Sequence, residues 1–175
     1  MRMKDSIIKN DSSYQYIYDF MQEVVKEVKL NKKFGLNRKP ELSCYINEND
    51  EDFLRTLIYD GKMKKKIIKS SGYDILIEET IFELPKCLTV EDIDYMLNQK
   101  DELKNFMWNP SKLGFSNSNN DNWYIFSVPL FSKDRNKAVM MIRDLCPGLC
   151  GGGRTVVFIK EGSTWESYSN FGWIH

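Results

Sequence analysis

Apolar residues recur with two different periods along this chain, and the last third carries the shorter one. Between Trp123 and Trp173, short apolar segments alternate with turn residues. Aromatic and β-branched residues dominate those segments, as half-buried strands favour. The pattern predicts four strands, at residues 123–130, 138–145, 155–160 and 165–168.

Short polar connections join these predicted strands, so neighbours in sequence should pair antiparallel. The expected result is a four-stranded up-and-down meander over residues 123–175. Pro129 complicates the first strand, because proline cannot donate a backbone hydrogen bond to a ladder. We therefore expect that strand to lie at an edge or to end near residue 128.

The longer, helical period runs through the segments upstream of the meander. From Ser12 or Ser13, either of which suits an N-cap, one apolar stripe extends to about Leu30. Its members are Ile17, Phe20, Met21, Val24 and Val28. A short helix is expected near residues 53–58, followed by two short strands at 73–77 and 81–84.

A further helix should begin at Thr89. With Asp92 three positions later, Thr89 resembles a capping box in which aspartate replaces the usual glutamate. We expect this helix to continue through residues 101–107, until Asn109 and Pro110 stop it.

These elements predict an α+β fold, with N-terminal helices and a short hairpin packed on one face of the meander. A cystatin-like or nuclear-transport-factor-like cone, with a sheet curved around a long helix, is a second possibility. No linker divides the chain, so we expect one domain over residues 1–175, with 1–11 flexible.

Charge excludes some function classes. The 175 residues contain 25 Lys plus Arg and 25 Asp plus Glu, so the balance gives no reason to expect nucleic acid as a partner. No run approaches the roughly 20 apolar residues of a membrane span. The N-terminus has no apolar signal segment, which favours a cytoplasmic protein; a periplasmic or lipid-anchored one is the alternative if the chain is trimmed.

The most unusual stretch is CPGLCGGGR, from Cys146 to Arg154. Cys146 and Cys150 could form a disulfide, which would persist in an oxidising compartment, or half of a metal site. Gly151, Gly152, Gly153 and Arg154 could instead hold an anion through backbone N–H groups and a guanidinium. We favour a fourth interpretation, a wide hairpin loop whose glycines supply positive φ angles and whose cysteines are small buried side chains.

Catalysis finds little support in the chain. A serine or cysteine nucleophile needs a neighbouring base, and the one histidine is His175. Zinc usually takes four ligands, and the remaining cysteines offer no second closely spaced pair. We therefore predict no catalytic residues, no metal and no cofactor.

The aromatic residues near the C-terminus suggest a contact surface. Trp165, Phe171 and Trp173 are the candidates for contact with a partner, because interface anchors are enriched in tryptophan and other aromatics. The segment SNFGWIH, in which Phe171 and Trp173 lie, is the aromatic stretch that we expect to be exposed.

Three segments form a specific combination: FSVPLFSKD, then LCPGLCGGG, then FIKEGSTW. They resemble a small, largely uncharacterised group of bacterial proteins with an S-x-P-[IL]-F-S-x-D segment, a C-x-x-x-C-G-x-G loop and a following aromatic strand. LTVEDIDYMLNQ is also similar to that group, so the resemblance covers residues 88–175. It implies little about function, because no activity is established for the group. It implies export or lipid anchoring, from which this chain departs by showing no signal sequence.

The sequence thus favours a non-catalytic protein that binds another protein, of the immunity or inhibitor type. The alternative is an enzyme or ligand sensor that holds an anionic group in the segment from Cys146 to Arg154.

Overall fold

The computed structural model describes residues 14–41, 43, 51, 54–55, 57–58, 61–65, 80–84, 87–116, 121–148 and 151–174. Within 61–65, 80–84 and 169–174 it describes the backbone alone. Several predictions lie outside these residues: the flexible segment 1–11, the strand at 73–77, and the placement of Cys150 and His175. The N-cap expected at Ser12 or Ser13 was wrong, because the first described helix has Tyr14 at its N-cap, with no capping hydrogen bond from the side chain.

The named helices are α1 (Gln15–Glu27), α2 (Val90–Glu102) and α3 (Pro110–Leu113). The strands are β1 (Gly35–Leu36), β2 (Gly61–Lys65), β3 (Thr80–Leu84), β4 (Trp123–Phe126), β5 (Leu130–Phe131), β6 (Lys137–Leu145), β7 (Gly151–Glu161) and β8 (Thr164–Ile174).

One sheet organises the chain. Strands β1, β4, β6, β7 and β8 lie side by side in that order, and β5 also pairs with β6. Every pairing is antiparallel except that of β1 with β4. The α+β class is confirmed. The sheet has six strands rather than four, because β1 joins it and the first predicted strand is divided in two.

The division between β4 and β5 occurs around Pro129, as the missing proline donor suggested. Ser127 bridges it. The Ser127 backbone N–H donates to the Met141 carbonyl at 2.9 Å, and the Met141 N–H donates to the Ser127 hydroxyl at 2.8 Å. The hydroxyl thus takes the place of a backbone carbonyl in the ladder. Of the two expectations for this strand, an end near residue 128 is confirmed, because β4 ends at Phe126, and an edge position is wrong, because β1 pairs along the outer side of β4.

The sheet is covered on both faces, whereas the sequence pattern suggested cover on one. Alternate residues of β6 belong to different clusters: Met140 packs with Ile17 and Met21 of α1, while Val139 packs with Ile93 of α2. Strand residues point alternately to the two faces, so α1 and α2 lie on opposite sides of the sheet.

Helix α2 has the predicted start and an earlier end. The Thr89 side chain accepts from the Asp92 N–H at 3.2 Å, and the Asp92 carboxylate accepts from the Thr89 N–H at 3.1 Å. The helix ends at Glu102 rather than continuing through 101–107. Trp108, beyond that end, is fully buried in the cluster on the α1 face, so the chain must leave the helix to change faces.

The hairpin before α2 also differs from the predicted one. Residues 80–84 form β3, close to the predicted strand at 81–84, but the partner is β2, with Gly61 opposite Leu84. The sequence pattern had favoured 73–77 as the partner, and those residues lie outside the described part of the chain.

Candidate functional site

The three consecutive glycines lie in a strand. Strand β7 begins at Gly151, four positions before the predicted start, and it pairs with β6 on one side and β8 on the other. Gly152, for example, is opposite Asp144 in β6 and Ile174 in β8. Gly151 alone of the three has a positive φ, 138°. The expectation of a wide loop that includes all three glycines was therefore wrong, because Gly152 and Gly153 pair with both neighbouring strands.

This placement bears on the anion hypothesis. In a strand paired on both sides, backbone N–H groups are directed at neighbouring carbonyls, which differs from a nest converging on one oxyanion. Arg154 is half-buried and lies opposite Ile142 in β6 and Gly172 in β8. Anion binding at Gly151, Gly152, Gly153 and Arg154 stays a prediction.

Cys146 is disulfide-bonded and only half-buried, so the expectation of a small buried cysteine side chain was wrong for this residue. It directly follows β6, whose last residue, Leu145, is opposite Gly151 in the register. Its predicted partner, Cys150, lies outside the described residues. Cys87 keeps its thiol, and burial raises the pKa of that thiol to about 11. A thiol of that pKa is almost entirely protonated near neutrality, so Cys87 is a poor nucleophile.

The C-terminal aromatic segment belongs to β8. This strand is 11 residues long and lies at the end of the strand order, so it forms one edge of the sheet. Trp165 is only 7% exposed, and its ring centroid lies 4.8 Å from that of Phe20 in α1. Trp165 is thus a core residue and does not offer its indole to a partner. Phe171 is opposite Thr155, and Trp173 is opposite Gly153.

A β-bulge divides β8 at Tyr168. Ser167 is opposite Phe158 and Ser169 is opposite Val157, so Tyr168 has no Cα partner in β7. An extra residue on one strand shifts all later side-chain positions by one. The register therefore places residue 165 on the α1 face, and residues 171 and 173 on the opposite face. Tyr168 itself is 55% exposed.

Backbone directions follow from the same register. The Lys160 N–H donates to the Asn136 carbonyl at 2.8 Å, on the β6 side. The backbone N–H and carbonyl groups of the even-numbered residues of β7 are therefore directed at β6 and away from β8. Their β8 partners then direct their own N–H groups to the outer edge, because donors alternate along an antiparallel ladder. Those partners are Trp165, Ser167, Asn170, Gly172 and Ile174.

Two carboxylates of α1 occupy the first part of this outer edge. Glu23 Oε2 accepts from the Trp165 N–H at 3.2 Å. Glu27 Oε1 accepts from the Ser167 hydroxyl at 3.2 Å and from its N–H at 3.5 Å, the latter near the limit of a hydrogen bond. Four helical residues rise about 6 Å, close to two strand residues, which lets both carboxylates reach.

At the other end of the strand order, groups outside β4 and β5 satisfy the backbone of these strands in a similar way. The Gln99 amide donates to the Phe131 carbonyl at 2.6 Å and accepts from the Phe131 N–H at 3.3 Å. One side chain thus replaces a neighbouring strand beside β5. Beside β4, the N–H groups of Asn37 and Glu41 donate to strand carbonyls at 2.9 Å.

The outer edge of residues 169–174, which we call the open segment, differs from these edges. Among the described residues, no hydrogen bond joins its outward N–H groups to another part of the chain. The sequence also lacks a charged residue from Ser167 to Ile174. Charged side chains are a common protection of edge strands against pairing, so the open segment keeps the capacity to accept another strand.

Sequence reasoning identified part of this site. It placed Phe171 and Trp173 in a contact segment, although it ended the strand at residue 168. It missed Glu23, Glu27 and Gln99. Glutamates four residues apart on a helix usually face water, and a lone glutamine has no sequence signature for capping a strand edge. The spacing of Glu23 and Glu27 was the available signal, and it becomes informative only once α1 is known to lie along β8.

Comparison with protein-family models, curated proteins and solved structures finds no match to this chain. Within the described residues, no helix is both long and apolar enough to cross a membrane. The same residues contain no cluster of three or more histidine, cysteine, aspartate or glutamate side chains suited to a metal ion.

Proposed function

We propose that this chain is a non-catalytic binding protein that accepts an extended segment of another protein at the open segment of β8. The observation that carries the proposal is the contrast along the sheet edges. Side chains or backbone already satisfy the edges at β4, at β5 and at the first part of β8, whereas residues 169–174 have outward N–H groups without such a described partner.

Strand addition suits this surface physically. Main-chain hydrogen bonds supply affinity, and side chains at alternate positions supply specificity. The aromatic residues Phe171 and Trp173 are at alternate positions of the open segment, which supports a preference for apolar residues in the partner strand. The immunity or inhibitor type of role expected from the sequence remains a prediction about which kind of protein supplies that strand.

Photo-cross-linking tests the proposal. Replacing Tyr168 with a photoreactive phenylalanine analogue is nearly isosteric and places the probe beside the open segment, at an exposed residue. Illumination in a lysate of cells that make the protein should give a discrete adduct with one polypeptide. The same analogue at Tyr95 of α2, which is 37% exposed, is the matched control and should give no such adduct.

A second substitution connects the adduct to strand addition. Asn170→Pro removes an outward N–H and leaves the inner ladder to β7 intact. Asn170→Ala keeps that N–H. The adduct should disappear with proline and persist with alanine, while circular dichroism shows both variants folded. An adduct that survives Asn170→Pro would contradict strand addition, and no adduct at Tyr168 in any lysate fraction would contradict the proposal as a whole.

A further inference from the structure

The open segment has a chemistry that fits one particular occupant. We infer that it pairs antiparallel with the same segment of a second copy of this chain, so that a two-fold dimer forms through β8. The inference rests on the proposed function, because it uses the same edge, and it adds the identity of the strand that occupies that edge when no other protein does.

The positions of the outward N–H groups make the segment self-complementary. The backbone N–H groups of Asn170, Gly172 and Ile174 are directed outward, at a spacing of two residues. An antiparallel pairing centred on Gly172 places Gly172 opposite its own copy and Asn170 opposite Ile174 of the second copy. Each of these three pairs can exchange two hydrogen bonds, as outward pairs do in an antiparallel ladder. The arrangement is isologous and closes on itself, so it yields a dimer and no fibre.

Glycine is suited to the centre of this pairing. Side chains of directly opposed residues approach to about 4.5 to 5.5 Å between Cβ atoms, and residues on a two-fold axis always meet themselves. A charged residue there would face a like charge. Gly172 has no side chain, so the axis carries neither a clash nor a like-charge contact.

Electrostatics permits two copies to approach. The stretch from Ser167 to Ile174 is uncharged, and the whole chain has a formal net charge of zero. Neither local nor long-range repulsion therefore opposes association. The open segment has no charged residue and no proline, two of the features that keep strand edges from pairing with copies of themselves.

The two carboxylates of α1 limit the extent of the pairing. Glu23 and Glu27 already accept from Trp165 and Ser167, so a second strand would have to displace them to continue past Tyr168. The bulge at Tyr168 bends the edge at the same point. Pairing is consequently confined to about six residues, which predicts a weak, concentration-dependent dimer, because an interface of this size is below the standard class.

Sedimentation equilibrium of the purified chain tests the inference. The average mass should rise from monomer toward dimer as concentration increases from about 1 μM to about 1 mM. Asn170→Pro should hold the mass at monomer over the whole range, and Asn170→Ala should behave as the wild type. Gly172→Lys, which puts like charges at the axis, should also give a monomer. Circular dichroism of each variant checks that it is folded.

Two results would overturn the inference. A wild-type chain that stays monomeric to about 1 mM contradicts self-pairing. So does a dimer that persists in Asn170→Pro, because it must then use another surface. Neither result removes the proposed function, which is read separately from the Tyr168 adduct with a different polypeptide. If that adduct is absent and the Asn170-dependent dimer is present, the proposed function fails and self-pairing stands.

Discussion

The Glu23 carboxylate and the Trp165 backbone N–H form a 3.2 Å hydrogen bond that joins residues 142 positions apart. It ties α1 to the edge of β8 and gives a buried tryptophan a fixed backbone position. Through it, a glutamate on the polar side of a helix acts as part of the sheet.

Replacing Glu23 with alanine should lower the free energy of unfolding by about 1 kcal/mol, since the Trp165 N–H loses an ionised acceptor at a partly buried site. Glu27→Ala should cost less, because its contact with the Ser167 N–H is 3.5 Å long and exposed. Chemical denaturation measures both. Gln22→Ala, at an exposed position of the same helix, is the control. Equal losses for the Glu23 and Gln22 variants would show that the hydrogen bond between Glu23 and the Trp165 N–H contributes nothing to the free energy of unfolding.

Gln99 is the second side chain in the place of a strand, and it is 7% exposed. Gln99→Leu should destabilise the fold by about 1 to 3 kcal/mol, because the buried N–H and carbonyl of Phe131 both lose their partner. Gln99→Glu tests the mechanism. The ionised carboxylate can accept from the N–H but cannot donate to the carbonyl, so the loss should shrink as falling pH protonates it. A leucine variant as stable as the wild type would refute the capping role.

The positive φ of Gly151 predicts a sharp contrast between two glycines. At Gly151 an added Cβ would lie 2.8 Å from the Asp144 carbonyl oxygen, with φ at 138°. Gly151→Ala should therefore cost at least about 2 kcal/mol. Gly162, with φ at 62° in the β7–β8 turn, has open space around an added Cβ, so Gly162→Ala should cost only about 1 kcal/mol. Thermal unfolding of both variants measures the difference, and a reversed order would exclude the steric argument.

The disulfide of Cys146 can be assigned by peptide mapping under non-reducing conditions. The chain has four cysteines, and Cys87 retains its thiol, so Cys44 and Cys150 are the available partners. We expect a Cys146–Cys150 cross-link. Cys150→Ser should then expose one new thiol and cost about 2 kcal/mol, the chain-entropy value for so short a loop. Cys44→Ser is the control: it should remove one thiol and leave the cross-link at Cys146 in place. A cross-link to Cys44 would overturn the assignment.

Asp134 predicts a dependence of stability on pH. The Ser132 hydroxyl donates to its carboxylate at 2.6 Å, and this bond, with the Asn136 N–H, holds the pKa of Asp134 below its ordinary value of 3.8. Because the pKa is lower in the folded state, the ionised carboxylate of Asp134 adds to the free energy of unfolding. This contribution is fully present above pH 3.8 and is lost as the pH falls through the pKa of the folded state. Asp134→Asn should flatten the decline in unfolding free energy below pH 4. Parallel slopes for both proteins would rule out this contribution.

Much of the sheet could be predicted from local pattern. Alternating apolar residues and polar turns located β6 to within one residue, and the Thr89 capping box located the start of α2, because both signals are short-range. The parallel pairing of Gly35 with Trp123 could not be predicted this way. It joins distant segments through backbone groups that every residue carries.

The glycines show why the candidate site was only partly predicted. Three consecutive glycines have low strand propensity and favoured a loop, yet pairing on both sides holds Gly152 and Gly153 in β7. The tertiary ladder overrides the local preference. For the same reason β8 continues beyond Tyr168 through the polar residues Ser169 and Asn170, where the sequence pattern predicted that the strand had ended.

The packing of α1 against β8 has a consequence for synthesis of the protein. Phe20 leaves the ribosome well over a hundred residues before Trp165, one of three rings against which it packs. Chains lengthen at about 5 to 20 residues per second, so the apolar stripe of α1 remains without its partner for several seconds or longer. During that interval the apolar stripe of the nascent chain is available to chaperones. The packing of Phe20 against Trp165, and the hydrogen bond from the Trp165 N–H to Glu23, can form only after β8 has been translated.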